Sequence, residues 1–119
     1  MKPGDTFLVP DGIGAHLNCV IAVLADGRVV MCHFTTCHRR SDRTCVIRQG
    51  EHPFFDKSES VVRYDQIIVY APGQQLEALG RLIAKRFEPL SPELLERVKR
   101  GALNSPQTAE KIKQLLESV

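Results

Sequence analysis

Leu17-Asn18-Cys19-Val20-Ile21-Ala22-Val23-Leu24-Ala25-Asp26-Gly27-Arg28-Val29-Val30-Met31-Cys32-His33-Phe34-Thr35 carries the clearest structural signal in the chain. Two runs rich in apolar and β-branched residues flank Ala25-Asp26-Gly27. Asp and Gly accept the positive φ that a tight turn needs, so the stretch reads as a hairpin pairing Leu17 to Leu24 with Arg28 to Thr35. The second strand ends in Met31-Cys32-His33-Phe34-Thr35-Thr36-Cys37-His38-Arg39-Arg40, the densest run of reactive side chains in the sequence.

Working outward, Thr6 to Val9, Thr44 to Arg48, Ser60 to Arg63 and Gln66 to Tyr70 are further short strands separated by turn residues. Gly12 and Gly14 in Pro10-Asp11-Gly12-Ile13-Gly14 make the first connection a mobile loop. Many short strands with few long apolar faces predict a small, strongly bent antiparallel barrel over residues 1–72, because closure hides sheet edges.

After Ala71-Pro72-Gly73 the periodicity turns helical. Leu76, Leu79, Leu82, Ile83 and Phe87 form one apolar stripe and predict a helix from Gln74 to Phe87. Ser91-Pro92 is an N-cap followed by proline at the first helical position, opening a helix to about Ala102 that buries Leu94, Leu95 and Val98. Ser105-Pro106 repeats that signal for a last helix with Ile112, Leu115, Leu116 and Val119. The fold class is α+β: a barrel, then a helical extension over 73–119 packed on the same domain.

The chain has 119 residues, enough for one core and too few for two. It contains no apolar run of the ~18 residues a membrane span needs, and the start Met1-Lys2-Pro3-Gly4-Asp5 has no signal-peptide character. A cytoplasmic protein is expected. The net charge of +2 does not by itself announce a nucleic-acid binder. Locally, however, His38, Arg39, Arg40 and Arg43 crowd one loop, as a solvated loop or as phosphate contacts.

Four cysteines and four histidines all lie in the first half. Zinc must be weighed, but there is no CxxC pair, and adjacent Cys-His residues on a strand point to opposite faces. Buried apolar cysteines are the simpler reading. No metal or cofactor is assigned.

Gly4-Asp5-Thr6-Phe7-Leu8-Val9, a glycine-containing loop, two long hairpin strands and a closing threonine give an order of features that resembles the PemK/MazF-like toxins. The stretch Asp42 to Phe55 with Ser60-Val61-Val62-Arg63-Tyr64 is more similar to an uncharacterised bacterial branch sharing that barrel. The resemblance covers about Lys2 to Tyr70 and implies an SH3-like barrel that cleaves single-stranded RNA, with an antitoxin protein and a second copy of the chain as partners. Typical members start the second strand with a basic residue and proline, where the arginine takes part in catalysis. Gly14-Ala15-His16-Leu17-Asn18 has neither, and His16 stands in that place, while Thr35 or Thr36 matches the terminal threonine.

Cleaving RNA without a metal needs a base for the 2′-hydroxyl, an acid for the departing 5′-oxygen and donors for the phosphorane. His16 and His52 are the candidate acid/base pair, Thr35 or Thr36 the hydroxyl donor, with Ser60 nearby. His52 could equally bond a backbone carbonyl and fix its loop. His33 shares a strand face with Thr35. Phe54, Phe55 and Tyr64 could stack on bases, but packing suits them better. The other function class left open is a non-catalytic barrel that binds nucleic acid or a protein partner.

Overall fold

The computed structural model describes residues 1–10, 12–81 and 84–119; at positions 75, 76 and 81 only the backbone is described. The expectations for Asp11, and for the stripe members Leu82 and Ile83 and the side chain of Leu76, lie outside the described residues.

The hairpin forms as read. Strand β2 (Ala15–Val23) pairs antiparallel with β3 (Val29–Thr36), with Cys19 opposite Cys32 and Asn18 opposite His33. Gly27 turns the corner at φ 90°, and the Asp26 carboxylate accepts from the Arg28 backbone N–H at 3.1 Å. A bulge between Val20 and Ala22 increases the local bend. On one side of this hairpin, β1 (Thr6–Pro10) pairs with β2. On the other side β3 serves two partners. Its last residues pair with β5 (Glu59–Val62), which in turn pairs with β4 (Val46–Arg48). Its first residues pair with β6 (Ile68–Tyr70), reached through a single 3₁₀ turn at Tyr64–Gln66.

Helix α1 (Gln74–Arg81) is shorter than the stripe predicts. Lys85–Phe87 form a strand, β7, which pairs antiparallel with β1 so that Thr6 faces Phe87. The chain therefore returns to the sheet after its first helix, and the sheet does not end at Tyr70. The path β4-β5-β3-β2-β1-β7, with β6 beside β3, gives seven antiparallel strands. Among the described residues the sheet is not closed into a barrel by backbone pairing.

Helix α2 (Pro92–Asn104) starts as predicted: the Ser91 hydroxyl accepts from the Leu94 N–H at 3.1 Å, and Pro92 follows. Ser105-Pro106 does not open the last helix. The Ser105 hydroxyl donates to Asp42 and accepts from the Gln107 N–H, leaving residues 105–108 in a turn, and α3 (Glu110–Glu117) begins after Ala109.

Strand alternation sorts the side chains into two layers. Leu17, Cys19, Ile21, Cys32, Phe34, Ile47 and Val62 face the main core, which α2 and α3 close with Leu94, Val98, Ala102 and Leu116. The opposite face is apolar over only half its width, where Phe7, Val20, Val29 and Met31 pack beneath Leu79 of α1. Phe55 and Tyr64 are buried in the main core and Phe54 packs against it, so all three are packing residues. Val119, expected on the apolar face of α3, is 60% exposed. Among the described residues no helix is long and apolar enough to cross a membrane.

Candidate functional site

The uncovered half of the second sheet face is polar. His16 and Asn18 on β2, with His33 and Thr35 on β3, alternate out of phase with the main core and are all half-buried. The His16 and His33 rings meet edge to face, centroids 5.5 Å apart. His16 Nδ1 lies 3.4 Å from the Phe34 carbonyl. Just past the end of β5, Arg63 continues the phase of Val61, which pairs with Thr35, and its backbone N–H donates to the His33 carbonyl at 2.9 Å. Burial, then the proximity of His16, then the Arg63 guanidinium lower the His33 pKa, so its imidazole is kept neutral at pH 7.

Arg63 forms a two-point pair with Asp65, Nε and Nη2 each donating at 2.9 Å. That pair lowers the Asp65 pKa. It uses two of the five guanidinium N–H groups and leaves three for a ligand.

Next to Thr35 the surface falls into a cavity of about 370 Å³, bounded by Arg40 and Asp42 of the 37–45 loop, Arg63 and Asp65 after β5, and Gln107 between α2 and α3. Its volume is at the lower end of small-molecule clefts. Asp42 fixes one wall, since its carboxylate accepts from the Thr44 N–H and hydroxyl and from Ser105. Burial raises the Asp42 pKa, but these hydrogen bonds outweigh it and the net shift is downward.

The predicted residues separate into two sets. His16 and Thr35 belong to the polar face. Ser60 and Thr36 pair with each other in the opposite phase, Ser60 also facing the buried Ile47. Ser60 is therefore turned into the main core and Thr36 sits exposed at its end. His52 also belongs to that side and is 4% exposed. Its Nδ1 accepts from the Phe54 N–H at 3.1 Å, which assigns the proton to Nε2, and Nε2 donates to the Glu88 carbonyl at 2.7 Å. Phe55 and Phe87 flank the ring. His16 and His52 thus lie on opposite faces of one sheet, and a single phosphate cannot sit between them. The imidazole that does meet His16 is His33.

Of the basic loop, His38 and Arg40 line the cavity. Arg39 is exposed, and among the described residues neither Arg39 nor Arg40 has a carboxylate partner. Arg43 is committed to Glu59 through two bonds of 3.1 Å, and the same guanidinium touches Cys37 Sγ at 3.1 Å. Arg63 was not among the predicted residues, although its phase with Val61 in the strand Ser60 to Arg63 was readable.

Cys19, Cys32 and Cys45 are buried in the main core. The hydrogen bond to Cys19 and burial push the Cys32 thiol well above its ordinary value, and burial raises Cys45. Among the described residues no three His, Cys, Asp or Glu side chains gather as a metal ion would require. Compared with known proteins, the chain matches no family model and no curated protein.

Proposed function

We propose that this protein binds single-stranded RNA across the polar half of its second sheet face and cleaves it without a metal, by attack of the 2′-hydroxyl on the adjacent phosphate. The observation that carries this reading is the His16–His33 pair beside Thr35 and Arg63. Neutral His33 accepts the 2′-hydroxyl proton. The O2′ lone pair then forms the new bond to phosphorus while the bond to the 5′-oxygen breaks, and His16 as imidazolium donates the proton to that leaving oxygen. Products are a 2′,3′-cyclic phosphate and a 5′-hydroxyl end. The free N–H groups of Arg63 and the Thr35 hydroxyl stabilise the phosphorane.

The reading keeps the likeness to the PemK/MazF-like group as a proposal about ancestry and fold. It is supported by a long β3 that pairs antiparallel with β6 at one end and with β5 at the other. An antitoxin protein, a second copy of the chain and a cytoplasmic setting come with that proposal.

Incubating a mixed-sequence single-stranded RNA with the protein in EDTA should give cyclic phosphate ends by mass spectrometry. His16→Ala and His33→Ala, each checked as folded, should slow the reaction roughly 10²- to 10⁴-fold. Binding without cleavage would replace the nuclease by a non-catalytic RNA-binding sheet. Absence of both sinks the RNA reading.

A further inference from the structure

The two carboxylates of the cavity beside Thr35 are engaged in holding its walls. Asp42 accepts from the Thr44 N–H and hydroxyl and from Ser105, which ties the 37–45 loop to the turn between α2 and α3. Asp65 is in two-point contact with Arg63, so the charge of each is offset by the other. What remains for a ligand is mainly donors. The Ser41 hydroxyl accepts from the His38 backbone N–H at 2.7 Å and the Ser41 N–H donates to the His38 carbonyl at 3.1 Å, closing a turn that carries Arg40. Arg40 lines the cavity and has no carboxylate partner among the described residues. Its five N–H groups, the Ser41 O–H and the side-chain amide of Gln107 join the three remaining N–H groups of Arg63. An uncompensated guanidinium beside neutral donors suits an oxyanion, and phosphate oxygens are acceptors that arginine binds through charge-assisted bonds.

The order of the strands says which phosphate of an RNA this is. β3 lies between β2 and β5. His16 is on β2, His33 and Thr35 are on β3, and Arg63 follows β5 with its N–H on the His33 carbonyl. The cavity takes Thr35 from β3, Val61 and Val62 from β5, and Arg63, and among the described residues nothing from β2. The proton acceptor His33 therefore stands between the proton donor His16 and the cavity. The attacking 2′-hydroxyl belongs to the nucleotide on the 5′ side of the scissile phosphate, and the leaving 5′-oxygen to the nucleotide on the 3′ side. A strand laid across the face from His16 through His33 thus brings its 5′-side nucleotide to the cavity. Thr35, two residues or about 7 Å beyond His33 along β3, lies within one nucleotide step.

Building on the cleavage reading above, we infer that the cavity is a second phosphate subsite, in which Arg40, with Ser41 and Gln107, holds the phosphate on the 5′ side of the nucleotide whose 2′-hydroxyl attacks. The scissile phosphate stays with Thr35 and Arg63. Holding two phosphates at once fixes the attacking nucleotide between them and orients its 2′-hydroxyl towards His33. Gln107 and the bond from Ser105 to Asp42 give the helical tail a part in holding the substrate.

The probes are a mixed-base RNA dinucleotide with its single internal phosphate, the same dinucleotide with an added 5′-phosphate, and the same with an added 3′-phosphate. The 5′-phosphate should raise kcat/KM roughly tenfold or more, the factor that a hydrogen bond to a charged group supplies, and the 3′-phosphate should not. Arg40→Ala should bring the 5′-phosphorylated and unphosphorylated dinucleotides to the same rate. Arg39→Ala, which removes an equal charge from outside the cavity, should keep them apart. Versions with a 2′-O-methyl group on the first nucleotide cannot be cleaved and report binding alone, by calorimetry. No gain in rate or affinity from the 5′-phosphate, an equal gain from the 3′-phosphate, or a gain that survives Arg40→Ala overturns the subsite without touching the nuclease. Inorganic phosphate binding as tightly as the 5′-phosphorylated dinucleotide overturns it in favour of a site for the free anion. An Arg40-dependent preference for the uncleavable 5′-phosphorylated dinucleotide, in a protein that cleaves no RNA, supports the subsite and refutes the nuclease.

Discussion

His33 combines a donor-rich setting with partial burial, and that combination decides its charge. Removing water from the ring disfavours the imidazolium, and His16 at 5.5 Å and Arg63 disfavour it further, against a smaller opposing effect of Asp65. A histidine whose native pKa is depressed binds fewer protons when folded than when unfolded between that native value and about 6.5. Its contribution to stability is therefore fully present above about pH 6.5 and is lost as the pH falls through the native value. The cleavage rate should fall over the acidic side of the same window, because the base must be neutral. An NMR titration of the ring protons should place His33 below 6.5, and His16→Asn should move it upward by removing the neighbouring imidazole that lowers it; a His33 midpoint at or above 6.5 contradicts this account. At this scale the sequence disclosed residue types and phase. It placed His33 and Thr35 on one face, since both lie on β3 and alternate with Phe34. Which imidazole meets His16 depends on the β2–β3 register, and a one-residue slip would have reversed the answer.

Among the elements, α2 shows how one missing side chain fixes a contact. Tyr64 is buried with its hydroxyl donating to the Val98 carbonyl at 2.8 Å, and its phenolic end meets α2 where Gly101 passes. A Cβ at position 101 would be 2.1 Å from the tyrosine oxygen and 2.9 Å from the ring carbon bearing it. Alanine in a helix interior ordinarily gains about 1 kcal/mol over glycine. Here overpacking outweighs that gain, and Gly101→Ala should lower stability by about 2 kcal/mol in urea unfolding. Adding Tyr64→Phe should recover part of the loss by removing the closest atom, and a Gly101→Ala protein as stable as the original would remove this reading of the helix. Strands β1 to β3 and the Ser91-Pro92 start of α2 were legible because turn and capping chemistry is local. β7 was not, because Phe87 continues the helical spacing of the leucine stripe while its strand conformation comes from pairing with β1. The late start of α3 has a similar origin: Ser105 is taken by Asp42, 63 residues away in sequence, which no local capping signal could reveal.

For the molecule as a whole, the open sheet brings its two ends together through side chains rather than a backbone ladder. β4 and β7 are the ends of the strand path, and His52 follows β4 while Glu88 follows β7. The Nε2–H bond from His52 to the Glu88 carbonyl therefore joins the sheet's two margins, and the Thr6 hydroxyl donates to the same carbonyl at 2.6 Å. This latch lies on the face covered by α2 and α3, whereas His16, His33 and the cavity lie on the other. Structural and chemical histidines are thus segregated by the sheet, and they should respond differently to replacement. His52→Ala removes a buried ring and two hydrogen bonds, and should cost about 3 kcal/mol in denaturant unfolding. Assayed below its melting temperature, the folded fraction should cleave RNA at nearly the original rate. His16→Ala and His33→Ala should unfold close to the original midpoint and lose cleavage, because half-buried residues on the polar face leave little packing to disrupt. If His52→Ala instead abolished cleavage at unchanged stability, a residue behind the sheet would have to act on the substrate, and the division of the two faces into a packing side and a reacting side would be wrong.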